Sequence, residues 1–204
     1  MSNENNSVTL KGTIIEAPSL SHKVYGEGFY NTVIAVPRLS GSCDLLPVTV
    51  SERLLPGYED ILGKNYYITG QFRSYNNYSD EGSKLKLTVF AKTFEETDAD
   101  DYDEPNDIFL DGYLCKAPTF RETPFGREIA DMLLAVNRAY GKSDYIPIIA
   151  WSRNARFCSN LPIGTHLKIY GRIQSREYQK KIEDEFITKT AYEVSVSKLE
   201  VVED

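Results

Sequence analysis

The stretch from Asp144 to Tyr178 sets side chains that can stack on flat rings beside side chains that carry positive charge. At the period of two that a β-strand imposes, DYIPIIAW puts Tyr145, Pro147, Ile149 and Trp151 on one side and Ile146, Ile148 and Ala150 on the other. In GTHLKIYGRIQSREY, Leu167, Ile169 and Ile173 form an apolar side. Lys168, Tyr170, Arg172, Gln174, Arg176 and Tyr178 form a side of cations, rings and an amide. Such a side suits a ligand of regularly spaced phosphates and flat bases. Cations follow the phosphates, and each base stacked on a ring is worth about 1–3 kcal/mol whatever its identity.

Trp151, Tyr170 and Tyr178, with Lys168, Arg172 and Arg176, supply both parts of this recognition on two strands expected to be neighbours. Tyr145 and the cations Arg127, Arg138 and Arg153 extend the same groove, as do Arg121, Lys142 and Arg156. Each residue has an ordinary alternative. Trp151 can cap a core, Tyr170 can line an oligomer interface, and any one Arg can be a solvated surface charge. The alternation is harder to dismiss than any one of them.

Catalytic chemistry finds little support. His22 stands in a Ser-His pair within a turn and reads as a solvated loop residue; His166 has no carboxylate near it in sequence to orient it. There is no phosphate-binding GxxxxGK[ST] loop, no dinucleotide GxGxxG after a strand and no His/Cys metal spacing. Cys43, Cys115 and Cys158 are odd in number and widely spaced, so they read as thiols of a reducing compartment. The expectation is a protein that is not an enzyme and needs neither metal, cofactor nor small-molecule substrate. MSNENNSVTL lacks a signal-peptide pattern and no apolar run reaches about 18 residues, which points to a cytoplasmic chain without a membrane partner.

The elements that must position these residues come in two copies. LKGTIIEAPSLSHKVYGEGFYNTVIAVPRLSG from Leu10 answers LDGYLCKAPTFRETPFGREIADMLLAVNRAYG from Leu110. Gly12 matches Gly112, Arg38 matches Arg138, Asp44 matches Asp144 and Pro47 matches Pro147. Each copy reads as five strands: Val8–Glu16, Glu27–Val36, Leu45–Val50, Asn65–Tyr75 and Lys84–Ala91 in the first. The second has Ile108–Cys115, Arg127–Val136, Tyr145–Trp151, His166–Tyr178 and Phe186–Val196. A short helix-like piece, Ser51–Leu62 or Ser152–Leu161, stands between strands three and four, and polar hairpin tips (Asn76–Ser83, Gln179–Glu185) join strands four and five. Five strands with one helix in that place is the order of an OB-fold, a small Greek-key barrel. The expected architecture is all-β, with tandem OB-folds at 7–95 and 106–200 joined by an acidic linker at 96–105.

The net charge of −7 at first argues against nucleic acid. Residues 1–104 carry 9 Lys/Arg against 16 Asp/Glu, but Glu95–Glu104 alone holds seven acids; residues 105–204 carry 14 of each sign. The acidity therefore belongs to the linker, and two neutral barrels can each present a basic face.

TPFGREIADMLLAVNR, DYIPIIAW and GTHLKIYGRIQSREY make the second copy resemble the bacterial single-stranded-DNA-binding protein family over most of residues 108–196. The first copy is similar more weakly, with IAVPR, LLPVTVSER and ITGQFRSY at the matching places. The resemblance implies OB-folds, single-stranded DNA as ligand, roles in replication, recombination or repair, and a working unit of four barrels. Two chains of two barrels would supply four, so a homodimer is expected. The first copy places Ser51 where the second has Trp151, and Tyr67, Gln71 and Tyr75 where it has Lys168, Arg172 and Arg176. Tyr67, Arg73 and Tyr75 can still stack or hydrogen-bond, and Arg38 repeats Arg138. With fewer cations, weaker nucleic-acid contact is expected there. An OB-fold can also act as a protein-interaction or assembly scaffold, which remains the alternative reading.

Overall fold

The computed structural model describes residues 4–57, 61–79, 82–98, 105–182 and 185–203. The first copy forms β1 (Asn6–Ile14), β2 (Ser19–Val24), β3 (Glu27–Pro37), β4 (Cys43–Ser51), β5 (Asn65–Ser79) and β6 (Gly82–Glu96). The second forms β7 (Asn106–Leu114), β8 (Thr119–Glu122), β9 (Glu128–Arg138), β10 (Lys142–Trp151), α1 (Ser152–Cys158), β11 (His166–Ile182) and β12 (Glu185–Val201).

The sheet order β3-β4-β6-β5-β1, with β1 pairing back to β3, closes the first barrel; β9-β10-β12-β11-β7, with β7 pairing back to β9, closes the second. The third and fifth barrel strands pair in parallel (Val48 with Val89, Ile148 with Val194) while their other neighbours are antiparallel, the Greek-key arrangement of an OB-fold. Closure brings backbones unusually close. A Cβ on Gly12 would lie 2.2 Å from the Ala35 carbonyl oxygen and one on Gly112 would lie 2.5 Å from that of Ala135, so only glycine fits at either seam. Inner positions alternate as expected. Val8, Leu10, Ile34, Val36, Ile68 and Phe72 fill one core, and Ile108, Leu110, Leu134, Ile146, Ile148 and Ile169 the other.

Three features depart from the sequence expectation. β2 and β8 were not foreseen as strands. All their residues are exposed, and they form by pairing with β3 and β9 rather than by burying a face, so no period-two apolar pattern marks them. In the first copy the expected helix is a single 3₁₀ turn, Glu52–Leu54, capped by Ser51 Oγ accepting from Arg53 N; Pro56-Gly57 follows, and residues 58–60 lie outside the described residues. The expected hairpin tips are largely paired strand, since β5 and β11 run on to Ser79 and Ile182. Residues 80–81 and 183–184, like 99–104 of the expected linker, lie outside the described residues.

The barrels share one 12-stranded sheet because β1 pairs antiparallel with β7, with Val8 opposite Ile108 near the centre. Asn6 extends this junction by imitating a peptide group: its Nδ2 donates to Phe72 O (2.7 Å) and its Oδ1 accepts from Phe72 N (2.9 Å). Asn106 repeats the device on Ile173 at 2.7 and 2.9 Å. Asp44 Oδ1 accepts from Ser175 N (2.8 Å) and Asp144 Oδ1 from Ser74 N (2.7 Å), so each barrel clamps the other's fourth strand through a buried carboxylate.

Candidate nucleic-acid interface

The fourteen residues singled out in the sequence fall into three groups. Trp151, Tyr145, Arg176 and Tyr178 occupy the outer face of the second barrel. Trp151 ends β10 on the parity opposite to the core residues Ile146, Ile148 and Ala150, and its Nε1 donates to Ser195 Oγ at 3.0 Å. It is half-buried, held at the outer surface by a strand neighbour rather than capping the core. Arg176 Nε lies 3.5 Å from Glu193 Oε1, which also accepts from Gln174 Nε2 at 2.7 Å. Tyr145 and Tyr178 are exposed, and Tyr178 stands opposite Lys189. Arg127 and Arg153, both exposed, flank this face from the turn before β9 and from α1; neither has an ion pair among the described residues.

Arg38, Arg138, Arg172 and Arg73 lie at the barrel junction. Arg38 makes a two-pronged pair with Asp44, and its Nη2 also donates to Ser175 O at 2.9 Å. Arg172 Nη1 reaches the same carboxylate at 3.2 Å. Arg138 Nε is 3.5 Å from Asp144 Oδ2. The sequence reading took Arg172 as a phosphate contact of the outer groove. The fold turns it to a carboxylate 128 residues away, a partner that only the junction creates. Arg73 donates to Gln71 Oε1 and lays its guanidinium 4.0 Å from the Phe90 ring centre. Burial, then the nearby Arg138, lowers its pKa. Burial raises the Asp144 carboxyl above its ordinary value against the opposing pull of Ser74 N–H, Arg138 and Arg73.

Lys168, Tyr170 and Tyr67 lie on the outer face of the central strands. Tyr170 packs on Phe109 at 5.0 Å between centroids with Lys198 Nζ over its ring, Lys11 Nζ lies 5.6 Å from the Tyr67 ring, and Lys168 stands between Asp111 and Glu200 in the register. Ten residues of strand, about 33 Å, separate Lys168 from Tyr178. Tyr75, exposed on β5, belongs instead with Tyr178. Both line a groove of about 690 Å³ between the barrels, together with Lys86, Lys189, Pro47 and Pro147.

A cluster on the first barrel was missed. His22 stacks on Phe29 (5.1 Å, 11° between planes), Phe29 packs on Phe90 at 5.6 Å, and Arg73 covers Phe90. His22 thus stands on the exposed strand β2 as part of an aromatic surface, not in a turn. Phe90 takes the place of Ser195 and Phe29 that of Ile129: each barrel carries outer-face rings, but on different strands. Aligning outward parity on strands two and five, rather than scanning for a second Trp, would have found them. His166 also gains an unforeseen partner, with Nε2 2.6 Å from Asp111 Oδ1 and its ring stacked on Tyr113.

No helix among the described residues is long and apolar enough to cross a membrane. Residues 105–202 match the profile of the Single-strand binding protein family. Single-stranded DNA-binding protein 3 of Clostridium acetobutylicum is 36% identical over 83 residues, 37% of this chain and 58% of the relative. Single-stranded DNA-binding protein A of Bacillus subtilis is 35% identical over 83 residues, 37% of this chain and 48% of the relative. The chain spans about half the length of the curated relatives it matches. The crystal structure of the wild-type single-stranded DNA binding protein from Thermus aquaticus aligns with 98% of this chain and 93% of that one, at a TM-score of 0.75 and 22% identity. That likeness extends the fold over both barrels, whereas the relatives and the profile match rest on sequence. The match to the single-strand binding protein family therefore rests on the second barrel, residues 105–202, while the likeness in fold takes in both barrels.

Proposed function

We propose that this chain binds single-stranded DNA without sequence preference and without catalysis, in replication, recombination or repair. The observation that carries the reading is the pair of outer barrel faces, each with rings beside cations: Trp151, Arg176 and Tyr178 on one, Phe29, Phe90 and Arg73 on the other. Between them lies the groove of about 690 Å³ that Tyr75 and Tyr178 line. Rings on the outer face of a barrel accept bases irrespective of sequence, and duplex DNA offers no unstacked base to them. The ligand class is supported by the names of the relatives, which are single-stranded DNA-binding proteins.

The working unit in this reading is a cytoplasmic homodimer of about 46 kDa, twice the 23.1 kDa chain, with barrels at 7–95 and 106–200 and an acidic linker at 96–105. The internal β1–β7 junction already pairs two barrels, so one self-complementary contact between chains gives four. Light scattering at micromolar concentration tests the mass; 23 kDa or 92 kDa would refute the dimer.

Titration of labelled oligo-dT and of duplex DNA at two salt concentrations tests the ligand. The expected result is preference for the single strand, with log K falling by about 0.7 per phosphate contact for each decade of salt. Absence of salt-dependent binding to oligo-dT would leave an assembly scaffold as the function.

A further inference from the structure

We propose that the first barrel carries the dominant base-stacking site, and that this site is completed across the junction by Arg138 of the second barrel. The inference rests on the single-strand reading above and reverses the ranking of the two barrels that a cation count along the sequence suggests. A pocket of about 330 Å³ opens beside Phe90, within reach of His22, Arg73, Tyr75, Thr88 and Arg138. Its volume lies at the lower end of small-ligand pockets, the scale of a base with part of its sugar.

The two outer faces differ in charge at matched positions. On the second barrel, Asp131 holds Arg121 at 2.5 Å and Glu193 holds both Arg176 and Gln174. Arg121 and Arg176 are thus already paired where a phosphate would approach, and a phosphate must displace a carboxylate to use them; Arg127 and Arg153, at the edges of this face, are its cations without an ion pair among the described residues. On the first barrel the corresponding positions are Asn31 and Thr88, neutral groups that hydrogen-bond to Thr49 Oγ1 at 3.0 and 2.9 Å. Asp144 is the carboxylate that faces Arg73 and Arg138, and it is buried and occupied by Ser74 N–H. At the matching place across the pseudo-dyad, Asp44 takes both Arg38 and Arg172, leaving Gln174 where the first barrel has Arg73.

The rings differ too. Phe90 is covered on one face by the Arg73 guanidinium and edged by Phe29, with His22 stacked beyond, so the platform is assembled before any base arrives. A preassembled platform loses less side-chain entropy on binding than a lone ring. Trp151 is single, and its N–H is spent on Ser195. The first barrel therefore offers a preassembled cluster of three rings, and the positions that hold Asp131 and Glu193 on the second barrel are neutral there.

The test uses the full chain and fluorescein-labelled oligo-dT, read by anisotropy at several salt concentrations. Phe90→Leu keeps apolar volume and removes the ring; Arg73→Gln removes the charge. Each is expected to weaken binding about tenfold or more, and Arg73→Gln to lower the salt slope by about 0.7. Trp151→Leu and Arg176→Gln are expected to cost less than about threefold, with the slope unchanged for Arg176→Gln because Glu193 already neutralises it. Glu193→Gln is a gain-of-binding control that misfolding cannot imitate. Freeing Arg176 should tighten binding about threefold or more at low salt and steepen the slope. Larger losses from Trp151→Leu and Arg176→Gln than from the first-barrel pair, equal losses from both pairs, or no gain from Glu193→Gln would overturn the proposal. An unsubstituted chain that fails to bind oligo-dT overturns the single-strand reading itself, and that result is read before any variant is compared.

Discussion

Replacing Asp44 by Asn should destabilise the whole chain, because this carboxylate ties the two barrels together. Asp44 is 1% exposed and receives the Arg38 fork, Arg172 Nη1 and Ser175 N–H. Asparagine fills the same space and can still accept from Ser175, but it withdraws the charge that two guanidinium groups share. Removing one partner of a buried ion pair costs about 3–5 kcal/mol. Arg38 and Arg172 are 27% and 40% exposed and can recover some hydration, which places the loss near the lower end, about 3 kcal/mol. For a chain of this length each kcal/mol moves Tm by about 2–4 °C, so the variant should melt roughly 6–12 °C lower. Asp144→Asn should cost about 1 kcal/mol or less at neutral pH. It gives up one longer contact to Arg138 at 3.5 Å and keeps an acceptor for Ser74 N–H, and it removes a charge that burial disfavours. The pH dependence follows from the same shift. A carboxyl whose folded pKa is raised contributes stability that is fully present below its unfolded pKa and is lost as pH rises through the folded value. The comparison of Asp144→Asn with the parent should therefore move in the variant's favour between about pH 4 and neutrality. Calorimetric melts of both variants across that range provide the check, and equal losses from the two would refute the assignment of Asp44 as the stronger clamp.

Thiol labelling should follow burial. Exposed Cys43 should react with a maleimide in the native protein, whereas Cys158, buried and with its thiol pushed up to about 11, should react only after unfolding; mass spectrometry of peptides labelled at neutral pH distinguishes them. Gly12→Ala should lower stability by about 1–3 kcal/mol or more in denaturant titration, because its methyl would press on the Ala35 carbonyl at the barrel seam; an unchanged midpoint would show that the seam relaxes freely. Trp151→Phe should cost less than about 1.5 kcal/mol in the same assay, since the ring packs on the outer surface and gives up one hydrogen bond to Ser195; a loss above about 3 kcal/mol would place Trp151 in the core after all.

Duplication, barrel type and the family likeness of the second barrel were legible in the sequence because each rests on local pattern. Gly12 and Gly112, the strand parity of Ile146, Ile148 and Ala150, and the LAVNR and GRIQSREY segments each report their own strand without reference to the rest of the chain. β2 was not legible, since a strand that buries nothing leaves no apolar period to read. Nor was the use of the arginines. Along β11, Arg172 and Arg176 look equivalent by parity, yet one meets Asp44 of the other barrel and the other meets Glu193 on the neighbouring strand. The partner of a charge depends on which residues the closed sheets bring within a few ångströms, and Coulomb attraction over that distance is indifferent to separation along the chain. The Phe29–Phe90–Arg73 cluster was hidden for the same reason. Its members come from three strands, and only the barrel's register of β3, β4, β6 and β5 sets them side by side. The sequence by itself determined two barrels and the kinds of side chain on their outer faces; which of those side chains remain open to a ligand was decided by the β1–β7 junction and by the carboxylates it draws in.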